Sequence, residues 1–448
     1  MTQPIEVTAD YNGDGGQDTA TWAPETGRWE ISLPTGPVTV QHGVKGDLPV
    51  PGDYRGAGRA QVAVVRASDR VLAVKDSGTE DWATARYRPK AGHVPGIVAL
   101  AQSAAKVAHR LHVQGRFAEA AELSRLERDL YRKLAETPGY ERFLPDWGSA
   151  ALRLGGNLGL ARQTAEGVLA CYEGLDVLRR VGDELLVAGA YEAVANAFHS
   201  GGRFSEAVPP CVRRVEITRA LGKRAEQVRA LISLSGNLAL SARVEDAIAQ
   251  ATEAVRVAEE LGEVLPRATA HDQLATLYGG YTANLDAAQR HGLLAVRLYE
   301  QLPLAEYRNP FGHVLGRYSG TQSRRGVHAD AVAYAQRSIE VWAPLANRDL
   351  DANGNSHLAL VLEAAGRLPE AVRPSRTATD LYRQLLRDTA AEVYRPLLAG
   401  SVFRLARALA AAGDRDGART AVDEAIEQYD RLGATAEARR AREFRATL

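Results

Sequence analysis

Between residues 98 and 433 one small-residue pattern recurs eight times, and no other feature constrains the fold as much. Aligned on an alanine, the units fall at Ala120, Ala161, Ala207, Ala247, Ala287, Ala331, Ala371 and Ala418. Twelve residues before each stands Ala108, Ser149, Ala195, Ser235, Ala275, Ser319, Ala359 or Ala406. Three residues after that comes Leu111, Leu152, Phe198, Leu238, Tyr278, Gln322, Leu362 or Leu409, apolar in all but one. Five before the anchor, six units carry glycine, at Gly115, Gly156, Gly202, Gly326, Gly366 and Gly413. This is the pattern of a helical hairpin: a small residue on the first helix faces the anchor on the second, so the two backbones approach closely. The glycine provides the positive-φ turn that ends the first helix, and Gly182, Gly222, Gly262 and Gly433 end second helices in the same way.

These signatures resemble tetratricopeptide (TPR) repeats over residues 98–433, with residues 434–448 as a polar capping helix. The spacing exceeds the usual repeat length, as in the kinesin-light-chain and bacterial regulator types, and the consensus Trp, Tyr and terminal Pro are mostly absent. Pro209-Pro210 and Pro374 fall in second helices and predict kinks or short breaks. In TPR folds the first helices line the concave face. The resemblance then places His109, His112, Glu192, Asn196, His199, Arg229, Asp272, Thr276, Arg404 and Arg407 in a partner-binding groove, with Gly236, Gly279 and Gly280 leaving space. The Lys/Asn pattern that clamps a peptide C-terminus is missing, and Glu192 would repel such an end, so an internal segment or a folded surface is the expected ligand.

The first 88 residues are different. Asp10-Tyr-Asn-Gly-Asp-Gly-Gly-Gln-Asp18 puts side-chain oxygens at relative positions 1, 3, 5 and 9 of a glycine-rich loop, followed by the strand-like Thr19-Ala-Thr-Trp-Ala-Pro24. A second copy starts at Asp53 but has Arg55, Ala57 and Gln61 where the first has Asn12, Asp14 and Asp18. Turns are expected at Glu25-Thr-Gly27 and Ser68-Asp69, and further strands at Val38–Val40 and from Trp82 to Tyr87. The pattern resembles the FG-GAP/VCBS repeat, whose propeller blades carry a D-x-D-G-D-G-x-x-D calcium loop. That resemblance implies one structural Ca²⁺ held by Asp10, Asn12, Asp14, the Gly16 carbonyl and Asp18. The alternative reading of the residues is an Asx turn held by its own side chain-to-backbone hydrogen bonds. Two blades cannot close a ring, which leaves open sheet edges to be covered by the helices, by a second copy through self-association, or by a partner.

The fold class expected is therefore mainly α: a TPR-like α-solenoid of about eight helical hairpins behind a small antiparallel β module of two propeller-like blades. The β module spans residues 1–88, and residues 89–97, rich in Pro and Gly, read as a linker. The chain of 448 residues has a formal net charge of +0, which gives no reason to expect nucleic acid or anionic membrane as partner. No secretory leader and no long apolar run stands out, so a cytoplasmic location is expected. Cys171 and Cys211 read as buried apolar residues. His109 and His112 lack a third ligand, and Asp349–Gly354 resembles an EF-hand start but has Leu360 where a bidentate Glu belongs, which fits a helix N-cap turn. Without a Walker, G-x-S-x-G or H-E-x-x-H motif, the expectation is a non-enzymatic scaffold that presents a groove to a protein partner. The alternative is a ligand- or peptide-sensing regulator of a bacterial signalling system.

Overall fold

A computed structural model describes residues 4–54, 58–66, 71–75, 84–87, 94–389 and 392–448. Arg55, Ala57, the turn at Ser68-Asp69, Trp82, residue 88 and linker residues 89–93 lie outside the described residues. The chain divides into two compact units, Met1–Lys223 and Arg224–Leu448.

The first unit opens with two four-stranded antiparallel sheets. One contains β1 (Ile5–Glu6), β2 (Thr19–Ala23), β3 (Arg28–Leu33) and β4 (Gly36–Gln41), paired in that order. The other contains β5 (Asp47–Pro49), β6 (Val62–Arg66), β7 (Val71–Lys75) and β8 (Thr84–Tyr87). Alternation puts Trp22 opposite Trp29, both buried, and both indole N–H groups donate to the His42 carbonyl, at 3.3 and 2.9 Å. The expected propeller blades are not found. The sheets stay open and uncurled, and among the described residues β1, β4, β5 and β8 each pair with a single neighbour. Their apolar faces are closed by a helix: Ile5, Val7, Tyr11, Val50 and Tyr54 share one core with Leu100, Ala104, Val107 and Leu111 of α1 (Val94–Val113). Ser103 Oγ locks that contact by donating to the Pro51 carbonyl at 2.6 Å.

The calcium assignment is also corrected. Among the described residues no group of three or more His, Cys, Asp or Glu side chains is placed to hold a metal ion. The loop oxygens are taken up by backbone amides. Asp10 accepts from Gly13 N at 2.6 Å and Gly15 N at 2.9 Å, and Asp14 accepts from Gly16 N at 2.7 Å. Buried Asp18 accepts from Tyr11 N at 2.8 Å, and Asn12 Nδ2 donates to Asp14 at 2.9 Å. These residues form a self-satisfied Asx turn and do not fit the ion. Asp18→Ala should destabilise the unit by about 1–3 kcal/mol, because it strands the buried Tyr11 amide. Its melting temperature, like that of the parent, should be the same in Ca²⁺ and in chelator; a Ca²⁺-dependent rise in the parent would overturn this reading.

The remaining helices of the first unit are α2 (Phe117–Ala135), α3 (Leu144–Leu160), α4 (Thr164–Val181), α5 (Glu184–Ser200) and α6 (Phe204–Ala220), which pack as TPR-like hairpins. In this unit the second helices begin three residues before their anchors, as α2 does at Ala120 and α6 at Ala207. The second repeat is out of register with the sequence alignment. Ala161 caps α3, and the anchor position of α4 is Gly167, with Gly155 twelve residues before it and buried Leu158 after that. Gly156 therefore lies inside α3, and the left-handed turn falls on Arg162, at φ 63°. Ala242 takes the same turn at φ 60° in the fourth repeat. A side chain there costs about 1 kcal/mol, so Arg162→Gly should raise the unfolding free energy by about that amount in urea titration. Cys171 and Cys211 are buried and not joined in a disulfide, and α6 runs unbroken through Pro209 and Pro210.

The second unit contains α7 (Arg224–Leu240), α8 (Val244–Leu261), α9 (Val264–Gly280), α10 (Leu285–Tyr299), α11 (Leu304–Arg324), α12 (His328–Trp342), α13 (Arg348–Ala364), α14 (Val372–Thr389), α15 (Tyr394–Ala411), α16 (Arg415–Arg431) and α17 (Thr435–Ala446). The anchors pair as the repeat requires. Ser319 is fully buried and its hydroxyl donates to the carbonyl of its anchor, Ala331, at 2.6 Å. A 3₁₀ turn, Leu368–Ala371, precedes α14 because Pro374 has no N–H for the Glu370 carbonyl. Asn347 caps α13, accepting from Asp349 N and Leu350 N, so the Asp349–Gly354 segment is helix. Ala438 and Ala441 seat α17 against the preceding hairpin. Among the described residues no helix is long and apolar enough to cross a membrane.

Candidate functional site

The strongest candidate is a cavity of about 230 Å³ in the second unit, between the parallel first helices α9 and α11 and closed behind by α10. Arg317, Thr321 and Arg324 lie on one stripe of α11 because their spacing matches the helical turn. Asp272, Thr276 and Gly279 form the matching stripe of α9. Arg317 grips Asp272 with two bonds, Nε to Oδ1 at 3.0 Å and a terminal nitrogen to Oδ2 at 2.5 Å. Seven residues along both helices, a terminal nitrogen of Arg324 donates to the Gly279 carbonyl, one of the end carbonyls that α9 leaves without an internal partner. Each guanidinium keeps at least one nitrogen for a ligand. The Thr276 and Thr321 hydroxyls donate to carbonyls on their own helices, at 2.9 and 3.2 Å, and keep lone pairs free to accept. Tyr318, with its hydroxyl pKa raised by burial, forms part of the wall.

The glycines of this face are not explained by packing. A Cβ on Gly280 would meet nothing within 4 Å, and on Gly320 only His357 Cε1 at 3.7 Å. Gly236 and Gly316 have similar room, with nearest atoms at 3.9 and 3.8 Å. None of the four has positive φ. Each costs a helix about 1 kcal/mol relative to alanine without a compensating contact. Backbone kept bare in this way allows close approach by a bound chain.

The sequence-derived groove residues are distributed unevenly. Asp272 and Thr276 enter the cavity together, beside Gly279 and Gly280. Arg404 and Arg407 both hold Glu363, and Arg229 pairs with Glu226 on its own helix. In the first unit His112 Nδ1 meets Asn157 Oδ1 at 2.8 Å, and Glu192 pairs with buried Arg214 at 2.9 Å. His109 and Asn196 are exposed, and His199 lies edge-on to Phe204. Sequence reasoning missed Arg317 and Arg324. The inward positions of α11 are Gly316 and Gly320, so a search for polar inward residues passes over this helix, although the Arg317–Thr321–Arg324 spacing was visible.

Behind the groove, His271 and His291 bring their Nδ1 atoms to 2.9 Å, and His271 Nε2 lies 3.2 Å from Glu259, which also binds Arg267. Tyr278 stacks on His291. Burial, with His271 and Arg290 adding repulsion, pulls the His291 pKa down to about 4. The unfolded chain takes up this proton near pH 6.5. The contribution is thus complete above about pH 6.5 and is lost as pH falls toward 4. His291→Phe should flatten the fall in urea midpoint across that window; an unchanged slope would refute the assignment.

No protein-family model matches the chain, and no curated relative matches it. Solved structures of helical-hairpin proteins are similar. Apo RapI shows a TM-score of 0.46 and 14% identity over 64% of this chain and 99% of that one. A signal-transduction ATPase with a tetratricopeptide repeat sensor from Pyrococcus horikoshii shows 0.48 and 13%, over 75% and 53%. Aspartyl phosphate phosphatase F from Bacillus subtilis shows 0.47 and 11%, over 73% and 93%. Likeness at this level does not fix a partner or an activity.

Proposed function

We propose that this chain is a non-enzymatic, peptide-sensing regulatory protein that takes up an extended segment on the first-helix face of its second unit. One observation carries the reading: fixed Arg donors and Thr acceptors converge on a cavity of about 230 Å³ whose rim is bare glycine backbone. A few oriented polar groups in a concave site are what a small segment needs. Retention of a short degenerate peptide library by the full chain, read by mass spectrometry, tests it. The parent should enrich a peptide subset, and Gly320→Phe should lose it by about 100-fold, on the order of 3 kcal/mol, with helical content kept. No enrichment by the parent would end this reading. The broader scaffold reading draws support from Leu169, 70% exposed on α4, and Tyr172 and Val212, which occupy equivalent positions on α4 and α6. If that reading holds instead, Leu169→Glu will abolish partner binding and Gly320→Phe will not.

A further inference from the structure

The chemistry of the peptide can be read from the two arginines, granted the groove reading above. Both oxygens of Asp272 are engaged by Arg317, and the Asp272 side chain is 19% exposed against 43% for Arg317. The charge this pair presents outward is therefore cationic. Arg324 adds a second, exposed cation, held by an uncharged carbonyl. No other charged side chain lines the cavity among the described residues.

The two guanidinium groups are fixed at a defined spacing. Arg317 reaches residue 272 of α9 and Arg324 reaches residue 279, so each contact advances by the same seven residues along parallel helices. Seven residues of α-helix rise about 10 Å. Between them lie Gly320, Thr321 and Thr276, a floor of small side chains. A polyproline II chain rises about 3.1 Å per residue with three residues per turn, so side chains three positions apart share one face and span about 9 Å. The geometry points to an acidic peptide bound as an extended polyproline II chain, with carboxylates at positions i and i+3 seated on Arg317 and Arg324. The Thr hydroxyls accept from its backbone amides between them.

The experiment uses the full chain and three sublibraries of short peptides, randomised except for Glu at i and i+3, Gln at i and i+3, or Glu at i and i+5. The first should be retained about tenfold better than either of the others, as charge-assisted bonds exceed neutral ones. Arg324→Gln should erase that preference. Asp272→Asn should strengthen it, because it removes the internal carboxylate that competes for Arg317. Equal retention of the Glu and Gln sublibraries overturns the acidic assignment, and equal retention of the two Glu spacings overturns the register. In either case, binding that Gly320→Phe still abolishes would leave the groove reading standing. No retention of any sublibrary refutes this inference, while the fully degenerate library decides the groove reading separately.

Discussion

Gly155→Ala should lower the unfolding free energy by about 3 kcal/mol, whereas the same change one residue later, Gly156→Ala, should raise it by about 0.5–1 kcal/mol. The contrast comes from helix phase. A Cβ on Gly155 would collide with Cys171 Sγ and lie 2.7 Å from the Gly167 carbonyl; on Gly156 it would meet nothing within 4 Å. The contact is reciprocal, since a Cβ on Gly167 would lie 2.8 Å from the Gly155 carbonyl. Gly148 and Gly174 repeat the arrangement one heptad away, with a Gly174 Cβ 2.8 Å from the Gly148 carbonyl. The α3–α4 pair therefore packs backbone on backbone. Relief would require moving main chain, which close-packed interiors resist. Urea midpoints of the two variants, measured by helical circular dichroism, decide the matter; equal midpoints would disprove the interlock.

Glu192→Ala should cost about 3 kcal/mol, a large loss for one residue on a helix surface. Its partner, Arg214, has a side chain 5% exposed, whereas Glu192 is 43% exposed. Truncating the carboxylate leaves the buried guanidinium on α6 without its counter-charge, and that uncompensated charge accounts for most of the cost. Pairing Glu192→Leu with Arg214→Met should recover most of the loss, because an apolar pair of similar volume avoids the desolvation penalty. A single variant as stable as the parent would show that Arg214 finds another partner or reaches water. Glu192 is thus proposed as a stabilising residue of the α5–α6 hairpin rather than a contact for a ligand.

Local chemistry in the sequence announces most of the helical fold. Paired small residues twelve apart fix which helix faces meet, and Gly115, Gly202, Gly326, Gly366 and Gly413 all take positive φ as their positions require. The register of the second repeat is not visible from an alanine pattern, because that hairpin has glycine on both sides and puts Arg162 at the left-handed turn. The loop at Asp10 misled for a different reason. Ion ligation and an Asx turn call for the same residues at the same spacing, and only the direction of each carboxylate separates them. In the fold these oxygens face backbone amides.

Asp272 and Thr276 were legible as groove positions because they follow helix phase from a recognisable repeat. Arg317 and Arg324 were not, because their importance lies in reaching across to the neighbouring first helix, 45 residues away in each case. Repetition alone determined that this chain builds helical hairpins, where most of them turn, and that a β module precedes them, since these depend on contacts between near neighbours in sequence. Three matters waited for the tertiary structure: that α1 closes the β module, that the first loop satisfies itself, and that two arginines stand over bare glycine backbone. Each depends on where a side chain points once distant segments meet, and that direction is set by packing rather than by residue type.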